Sequence, residues 1–221
     1  PLVELINEEI PINEALQLVH QPPVNADISS LVEGSHPVQK RLAFEELVAH
    51  RTSLCFLRDQ VNKQTAMKLD APNNTCAKLV ANLGFELTSS QKRVLLVISR
   101  DLSRDTPMLR LLQGDVGSGK TVIAAVAAVQ AYENGLQTAL MAPTEILAEQ
   151  HLATFNEWLA PLGIETAWLS GKSKGIVREK ELQKIKRGDA QIIIGTHALF
   201  QKDVVFQKLG LVIIDEQHRF G

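Results

Sequence analysis

Two short stretches of this chain combine residue types that can do chemistry together. The first is a glycine-rich loop that ends in a lysine and a threonine: Gly114, Asp115, Val116, Gly117, Ser118, Gly119, Lys120 and Thr121. Glycines at these positions let successive backbone amides point at a phosphate group, because no Cβ stands in the way. Lys120 would place its charge on the β- and γ-phosphates, and the Thr121 hydroxyl would bind Mg²⁺. The loop therefore predicts a site for ATP with Mg²⁺.

The second stretch is an acidic pair, Asp215 and Glu216, which directly follows the apolar residues 211–214. Ligands of open α/β sheets bind beyond the carboxyl ends of the strands, which is where this pair would lie. Asp215 is expected to hold Mg²⁺, directly or through water, and Glu216 to orient or activate the attacking water. Together with the glycine-rich loop, the pair predicts hydrolysis of ATP.

The elements that must position these residues follow an alternating pattern after residue 85. Apolar runs predict strands at 108–112, 138–142, 166–169, 191–194 and 211–214, and helical patterns at 121–132, 145–159 and 176–187 lie between them. Strands that alternate with helices of this length form a mostly parallel sheet with helices on both faces. The expected fold class over residues 85–221 is therefore α/β, with a P-loop nucleoside triphosphatase architecture.

Residues 1–84 show helical periodicity and no strand alternation. Helices are predicted at 14–20, 37–71 and 75–83, and residues 24–36 are predicted to form a loop. Apolar residues between 44 and 61 recur at three- and four-residue steps, which indicates a long amphipathic helix. The sequence thus predicts two parts, an all-helical segment at 1–84 and an α/β domain at 85–221.

Composition limits the partners that the chain could have. Hydrophobic residues make up 45% of the sequence, and the net charge is only −2, so any contact with nucleic acid must come from a local patch. Basic residues concentrate between Lys172 and Arg187, either as a solvated helix face or as a surface that follows phosphates. No apolar run reaches the roughly 18–20 residues that a membrane span needs, and no membrane partner is expected.

Four segments of the chain resemble motifs of the RecG helicases, within superfamily two. Residues 215–221, DEQHRFG, resemble motif II, and residues 114–121 resemble motif I. Residues 142–151 and 195–200 are similar to motifs Ia and Ib. The resemblance implies a RecA-like first motor domain over 85–221, truncated after motif II, and a helical linker over 1–84.

The resemblance also implies roles for individual residues. Phe85 and Gln91 are similar to an adenine-reading motif, in which an aromatic ring stacks on the base and an amide reads its edge. The implied catalytic residues are Lys120, Glu216, Gln217 and His218, of which the last two would sense the γ-phosphate. Contacts to the phosphates of a DNA strand are implied for Thr144, Gly171, Thr196 and His197.

The function that the resemblance implies is that of an ATP-dependent translocase on double-stranded DNA. It would remodel stalled forks and Holliday junctions during DNA repair and recombination, in the bacterial cytoplasm at the nucleoid. Its implied partners are branched DNA and the wedge and second motor domains of the same protein. Because we expect this chain to lack those domains, we expect it to bind Mg·ATP but to hydrolyse it poorly alone.

Two alternatives stay open from the sequence. The chain could belong to another superfamily-two translocase, either similar to the transcription-repair coupling factor Mfd or of the restriction type. It could also be a non-catalytic interaction fragment, in which residues 1–84 form the working surface.

Overall fold

The computed structural model describes residues 10–70, 72–115, 117–172 and 174–216, with the backbone but not the side chains of residues 61 and 62. The chain divides into two compact units, Pro1–Gln64 and Thr65–Gly221. The sequence placed its boundary after residue 84, whereas Cys76 and Leu79 are buried in the core of the second unit. That residues 1–84 act as a linker and residues 85–221 as a motor domain stays a prediction.

The described part of the first unit is helical. Its helices are α1 (Ile12–His20), α2 (Ile28–Val32) and α3 (Pro37–Asn62). Helices α1 and α3 pack against each other, and Ala15 and Val38 are fully buried. The unit is therefore all-helical, as the sequence predicts.

Two details of this unit differ from the expectation. A loop was expected at 24–36, but α2 forms there because the Asp27 side chain accepts the backbone N–H of Ser30 (3.3 Å) and so caps the helix. The long helix was expected to reach residue 71, but α3 ends at Asn62. Beyond it the backbone N–H of Ala66 donates to the Asp105 carbonyl (2.8 Å), so residues 65–70 belong to the second unit.

The second unit alternates helices and strands. Its elements in chain order are α4 (Asn74–Asn82), α5 (Ser89–Leu102), α6 (Lys120–Glu133), β1 (Gln137–Met141), α7 (Glu145–Leu159), β2 (Thr166–Leu169), α8 (Gly175–Arg187), β3 (Ile192–Gly195) and β4 (Leu209–Ile214). In the described residues the strands form one parallel sheet in the order β2-β3-β1-β4. The predicted α/β class with a parallel sheet is confirmed.

The sheet is covered on both faces. On one face Leu140, Phe155 and Ile192 belong to a cluster that α6 and α7 complete, and on the other Met141 and Ile193 belong to a cluster that α8 completes. The burial of β3 on both faces explains its continuous apolar sequence. Because all strands run in parallel, the segments that follow them leave the sheet at one edge.

The prediction of a strand at 108–112 is wrong. Leu109 and Leu111 are 84% and 76% exposed, and no strand is found there. A strand needs a neighbour to pair its backbone amides and carbonyls, and within the described residues β4 pairs only with β1. The segment is held instead by Arg110, whose Nε donates to Asp101 Oδ2 (2.6 Å) on α5.

Helix α5 was not predicted from the sequence. It begins with a capping box, in which the Thr88 hydroxyl accepts the N–H of Gln91 and the Gln91 side chain accepts the N–H of Thr88. Its buried residues Ile98 and Leu102 pack beside the first turns of α6. Helix α5 thus fixes the approach to the glycine-rich loop.

Among the helices in the described part of the chain, none combines the length and the apolar character that crossing a bilayer requires.

The last turns of α6 hold the segment that enters the second unit. The Glu133 carboxylate accepts the backbone N–H groups of Asn73 (2.7 Å), Thr75 (2.7 Å) and Cys76 (3.1 Å) at the start of α4. Burial alone would raise the pKa of Glu133, but these accepted hydrogen bonds outweigh it and hold the pKa below its ordinary value. An ionised carboxylate therefore anchors α4 to α6.

Core packing predicts a large effect at Phe155, which is 0% exposed on α7. Replacing Phe155 by alanine is expected to lower the free energy of unfolding by about 3–5 kcal/mol, because a cavity forms. The matched control is Ile146→Ala on the same helix, where the side chain is 70% exposed, and a change within about 0.5 kcal/mol is expected. Urea unfolding followed by circular dichroism measures both; equal losses would contradict the described core.

The acid dependence of stability tests the Glu133 anchor. Since folding lowers the pKa of Glu133 from 4.5, its contribution is fully present above that value and is lost as pH falls through the lowered folded pKa. Glu133→Gln should therefore flatten the fall in unfolding free energy below pH 4.5. Glu157→Gln, a change of an exposed carboxylate on α7, should leave the slope as in the wild type; an unchanged slope in Glu133→Gln would exclude the anchor.

Candidate functional site

The glycine-rich loop lies directly before α6, and residues 114, 115 and 117–121 of it are described; we call these residues the phosphate loop. Gly117 and Gly119 have φ angles of +80° and +83°, which L-residues with a Cβ rarely adopt. Helix α6 starts at Lys120 with Gly119 as its cap and without a side-chain cap hydrogen bond. Its first backbone N–H groups and the positive end of its dipole therefore suit an anion.

The Lys120 ammonium is held by the loop itself. Its Nζ donates to the carbonyls of Gly114 (2.7 Å) and Asp115 (3.0 Å). The charge thus lies within the phosphate loop, where the sequence analysis expects it to meet phosphate oxygens.

Gln91 connects α5 to the phosphate loop. Its amide Nε2 donates to the Ser118 carbonyl (3.0 Å), while its Oε1 accepts the Thr88 N–H (2.8 Å). A Cβ at Gly119 would collide with Gln91 Nε2, so glycine is required for this close approach. Both ends of the amide are engaged within the protein, and the expected reading of an adenine edge stays a prediction.

Phe85 lies before α5 and is 49% exposed. Its ring meets Trp158 edge to face, with centroids 6.5 Å apart. A shallow cavity of about 420 Å³ lies beside it, lined partly by Gly84, Leu87 and Lys92. The role of Phe85 in base stacking stays a prediction.

The acidic pair lies at the carboxyl end of β4. The Asp215 backbone N–H donates to the Met141 carbonyl (2.8 Å) and so continues the pairing of β4 with β1. The Asp215 carboxylate accepts a hydrogen bond from His151 Nε2 on α7 (2.8 Å). Glu216 has a φ of +49° and is the one non-glycine residue in the described chain with a positive φ.

Helix α6 and strand β4 pack against each other, and Leu211 and Ile213 contribute to the cluster that contains Val122 and Ile123. Thr121 on α6 and Asp215 after β4 supply a hydroxyl and a carboxylate, which are oxygen ligands that Mg²⁺ accepts together with phosphate and water. The described residues hold no group of three or more His, Cys, Asp or Glu that could bind a metal alone. A hydroxyl and a carboxylate are a donor set that suits a metal ion whose remaining ligands are phosphate and water.

The four candidate DNA-contacting residues follow three neighbouring strands. Thr144, Gly171 and His197 are exposed after β1, β2 and β3. Thr196 is only 3% exposed, and its hydroxyl has no hydrogen-bond partner in the described residues. Its backbone N–H donates to the Leu169 carbonyl (3.2 Å). In this conformation Thr196 therefore connects the ends of β2 and β3 and is not exposed at the edge of the sheet. A DNA contact for each of the four stays a prediction.

The basic residues between 172 and 187 are partly paired. Lys172 forms an ion pair with Glu145 at the start of α7, and this hydrogen bond raises the pKa of Lys172. Arg178 donates to Asp203 (2.9 Å) and to Gln201 (2.7 Å). Arg178, whose side chain is 15% exposed, is thus engaged within the protein, whereas the Lys172 side chain stays 86% exposed.

Three predicted residues, Val116, Gln217 and His218, lie outside the described residues. One residue of the site was missed: His151, in the segment 142–151, had no role assigned. The partner, Asp215, is 64 positions away in the sequence, so no local pattern could have revealed the contact.

Comparison with known proteins gives a consistent family. Residues 88–221 match the DEAD/DEAH box helicase family. The chain is 52% identical over 210 residues to "ATP-dependent DNA helicase RecG" of Haemophilus influenzae, covering 95% of this chain and 30% of that protein. It is 51% identical over 218 residues to the Escherichia coli (strain K12) protein of the same name, covering 99% and 32%. The chain thus spans about a third of the length of these curated relatives.

Solved structures agree with this result. "Structure of RecG bound to three-way DNA junction" matches with a TM-score of 0.76 and 41% identity, over 87% of this chain and 26% of that chain. A hypothetical ATP-dependent RNA helicase from Sulfolobus tokodaii, 21% identical with a TM-score of 0.50, covers 66% of this chain and 42% of that chain; it shares the fold. The resemblance to RecG helicases and the RecA-like fold class are confirmed.

The contact of Gln91 with the phosphate loop gives a testable difference between two glycines. Gly119→Ala and Gly117→Ala both strain a positive φ, but only alanine at 119 displaces Gln91, because the space at Gly117 is open. Gly119→Ala is expected to cost about 1 kcal/mol more unfolding free energy than Gly117→Ala, the value of a lost hydrogen bond. In a Gln91→Ala background the two variants should become equal; a persistent difference in urea unfolding would refute the contact.

Proposed function

This chain belongs to the DEAD/DEAH box helicase family, in which it is similar to the RecG helicases, and from this premise we propose that it is the nucleotide-binding part of an ATP-driven motor on branched double-stranded DNA. The motor translocates on duplex DNA and remodels forks and Holliday junctions in repair and recombination. In this proposal the activity belongs to a longer protein and draws on further domains, in keeping with matched relatives that are about three times as long as this chain. The expected location is the bacterial cytoplasm, at the nucleoid.

One observation carries the proposal. Helix α6, which begins at Lys120 of the phosphate loop, packs against β4, which ends at Asp215. This packing brings the phosphate loop and the acidic pair to adjacent elements of one core. Such an arrangement supports binding of a nucleoside triphosphate with its metal at the carboxyl edge of the sheet.

The chain's own residues then divide the work. Lys120 moves from the carbonyls of Gly114 and Asp115 to the phosphate oxygens, which offer a stronger, charged partner. Thr121 and Asp215 would hold Mg²⁺, which would neutralise the charge that develops on the phosphates. Glu216 orients the attacking water and accepts its proton. Phe85 stacks on the base, and Gln91 links base recognition to the phosphate loop.

The proposed DNA contacts lie at the edge of the sheet where β1, β2 and β3 end. Thr144, Gly171 and His197 are exposed there, and hydroxyl, backbone amide and imidazole groups position a phosphate backbone without reading its sequence. "Structure of RecG bound to three-way DNA junction" names a branched DNA for that protein. By similarity, branched duplex DNA is the proposed substrate of the motor to which this chain contributes.

The proposal is tested by nucleotide binding and by turnover in two contexts. The chain should bind Mg·ATP, and Lys120→Ala should weaken binding at least about tenfold, since a charged hydrogen bond is lost. Lys63→Ala removes the same charge from the exposed end of α3 and should leave binding unchanged. Turnover by the chain alone should stay low with or without three-way-junction DNA.

The second context is a chimaera in which this chain replaces the matching third of the Escherichia coli relative. Its ATP hydrolysis should be stimulated by a three-way junction, and the same chimaera with Lys120→Ala should show no stimulation. A chimaera that folds and binds ATP but ignores junction DNA would contradict the proposed motor. A chain that hydrolyses ATP alone as fast as the chimaera would contradict the need for further domains.

A further inference from the structure

The hydrogen bond between His151 and Asp215 joins two elements that the candidate chemistry does not otherwise connect. His151 Nε2 lies 2.8 Å from Asp215 Oδ2, and the side chains are 16% and 27% exposed. Since an ionised carboxylate only accepts, the imidazole N–H is the donor. In the described part of the chain, Asp215 Oδ1 accepts no hydrogen bond.

The helix that carries His151 is fixed by packing and by its N-terminal cap. It lies on the same face of α7 as Ala148 and Phe155, which are three residues before it and four after it in the sequence, and both are fully buried. The start of α7 is capped by the Thr144 hydroxyl, which accepts the Leu147 N–H (3.3 Å). The backbone of His151 is therefore held in place relative to the sheet.

The backbone of Asp215 is equally fixed, because its N–H donates to the Met141 carbonyl (2.8 Å). What remains free is rotation of the Asp215 side chain. A donor at Oδ2 selects one orientation of the carboxylate and leaves Oδ1 for another partner. Groups that hold a metal ligand in this way typically change metal affinity 10- to 100-fold when they are removed.

We infer that His151 is a positioning residue that orients the Asp215 carboxylate for the metal ion of a bound nucleotide. The inference rests on the proposed function, since Asp215 is there the residue that holds Mg²⁺. It assigns to α7 a task at the nucleotide, because α7 begins directly after Thr144, a proposed DNA contact, and carries His151 beside Asp215. One helix would then contact both ligands of the motor.

The test measures the Mg²⁺ dependence of nucleotide binding rather than hydrolysis. Fluorescent ATP is held at fixed concentration with the chain, and Mg²⁺ is titrated from a chelator-treated start. His151→Leu, which removes the donor at similar volume, should raise the Mg²⁺ midpoint about tenfold. His151→Gln, whose amide reaches the position of Nε2, should return the midpoint most of the way to that of the wild type. Glu157→Gln on the exposed face of α7 serves as control.

A second pair of variants keeps the test independent of folding in His151→Leu. His151→Asn is as polar as His151→Gln but too short to reach Asp215, so its Mg²⁺ midpoint should be shifted much further from the wild type than that of His151→Gln. Equal Mg²⁺ midpoints in the wild type and His151→Leu, or in the asparagine and glutamine variants, would overturn the inference. A midpoint lowered by His151→Leu would also overturn it, because His151 would then withhold Asp215 from the metal.

A measurement without metal or nucleotide separates this inference from the proposed function. In a double-mutant cycle of His151→Leu and Asp215→Ala with a chelator present, the effects on the folding equilibrium constant should be non-additive. Additive effects would show that the side chains do not interact and would end the inference. If the wild type instead shows coupling but binds no fluorescent ATP at any Mg²⁺ concentration, the proposed function fails and the hydrogen bond stands as a structural contact only.

Discussion

The parallel pairing of β4 with β1 is the contact on which the candidate site depends. Ile214 pairs with Met141, and the next residue, Asp215, continues the ladder by donating its N–H to the Met141 carbonyl. On the core face, Leu211 and Ile213 pack in the cluster that contains the first turn of α6. Strand β4 therefore positions the acidic pair and also packs against α6, the helix that begins at Lys120.

Around this strand pairing, polar side chains form hydrogen bonds to segments that the backbone hydrogen bonds of the sheet do not hold. Gln91 holds the phosphate loop through the Ser118 carbonyl, His151 holds the Asp215 carboxylate, and Lys120 holds the loop carbonyls. Each of these groups is only partly buried, so water competes and the net contribution of each bond is about 1 kcal/mol. The core sets the site's location, while individually weak bonds set its side-chain geometry, which suits groups that must change partners when a nucleotide binds.

The sequence predicted the parts of this arrangement that depend on local periodicity. The bounds of α7 and β2 agree with the prediction, because their hydrophobic patterns are strong and their ends carry Thr144 or a change in polarity. The strand at 108–112 could not be judged locally, since an apolar run becomes a strand only where a neighbour completes its hydrogen bonds. Helix α5 was not predicted, although Thr88 and Gln91 form a capping box at its start, because only three of its residues, Ile98, Asp101 and Leu102, are buried and its apolar pattern is short. The contact of His151 with Asp215 depends on tertiary packing alone.

Helix α6 has a consequence beyond its role as an anion site, because it is fastened at both ends. Its first residue belongs to the phosphate loop, while Gln130, Glu133 and Asn134 at its other end bind the backbone of residues 69–76. Its 14 residues form a stiff rod about 20 Å long. A rod of this kind bends little, so the hydrogen bonds at its far end help to fix the position of Lys120 as well as that of α4. The helix that begins in the phosphate loop is thus also the one that fixes the start of α4, and a single element sets the geometry at both places.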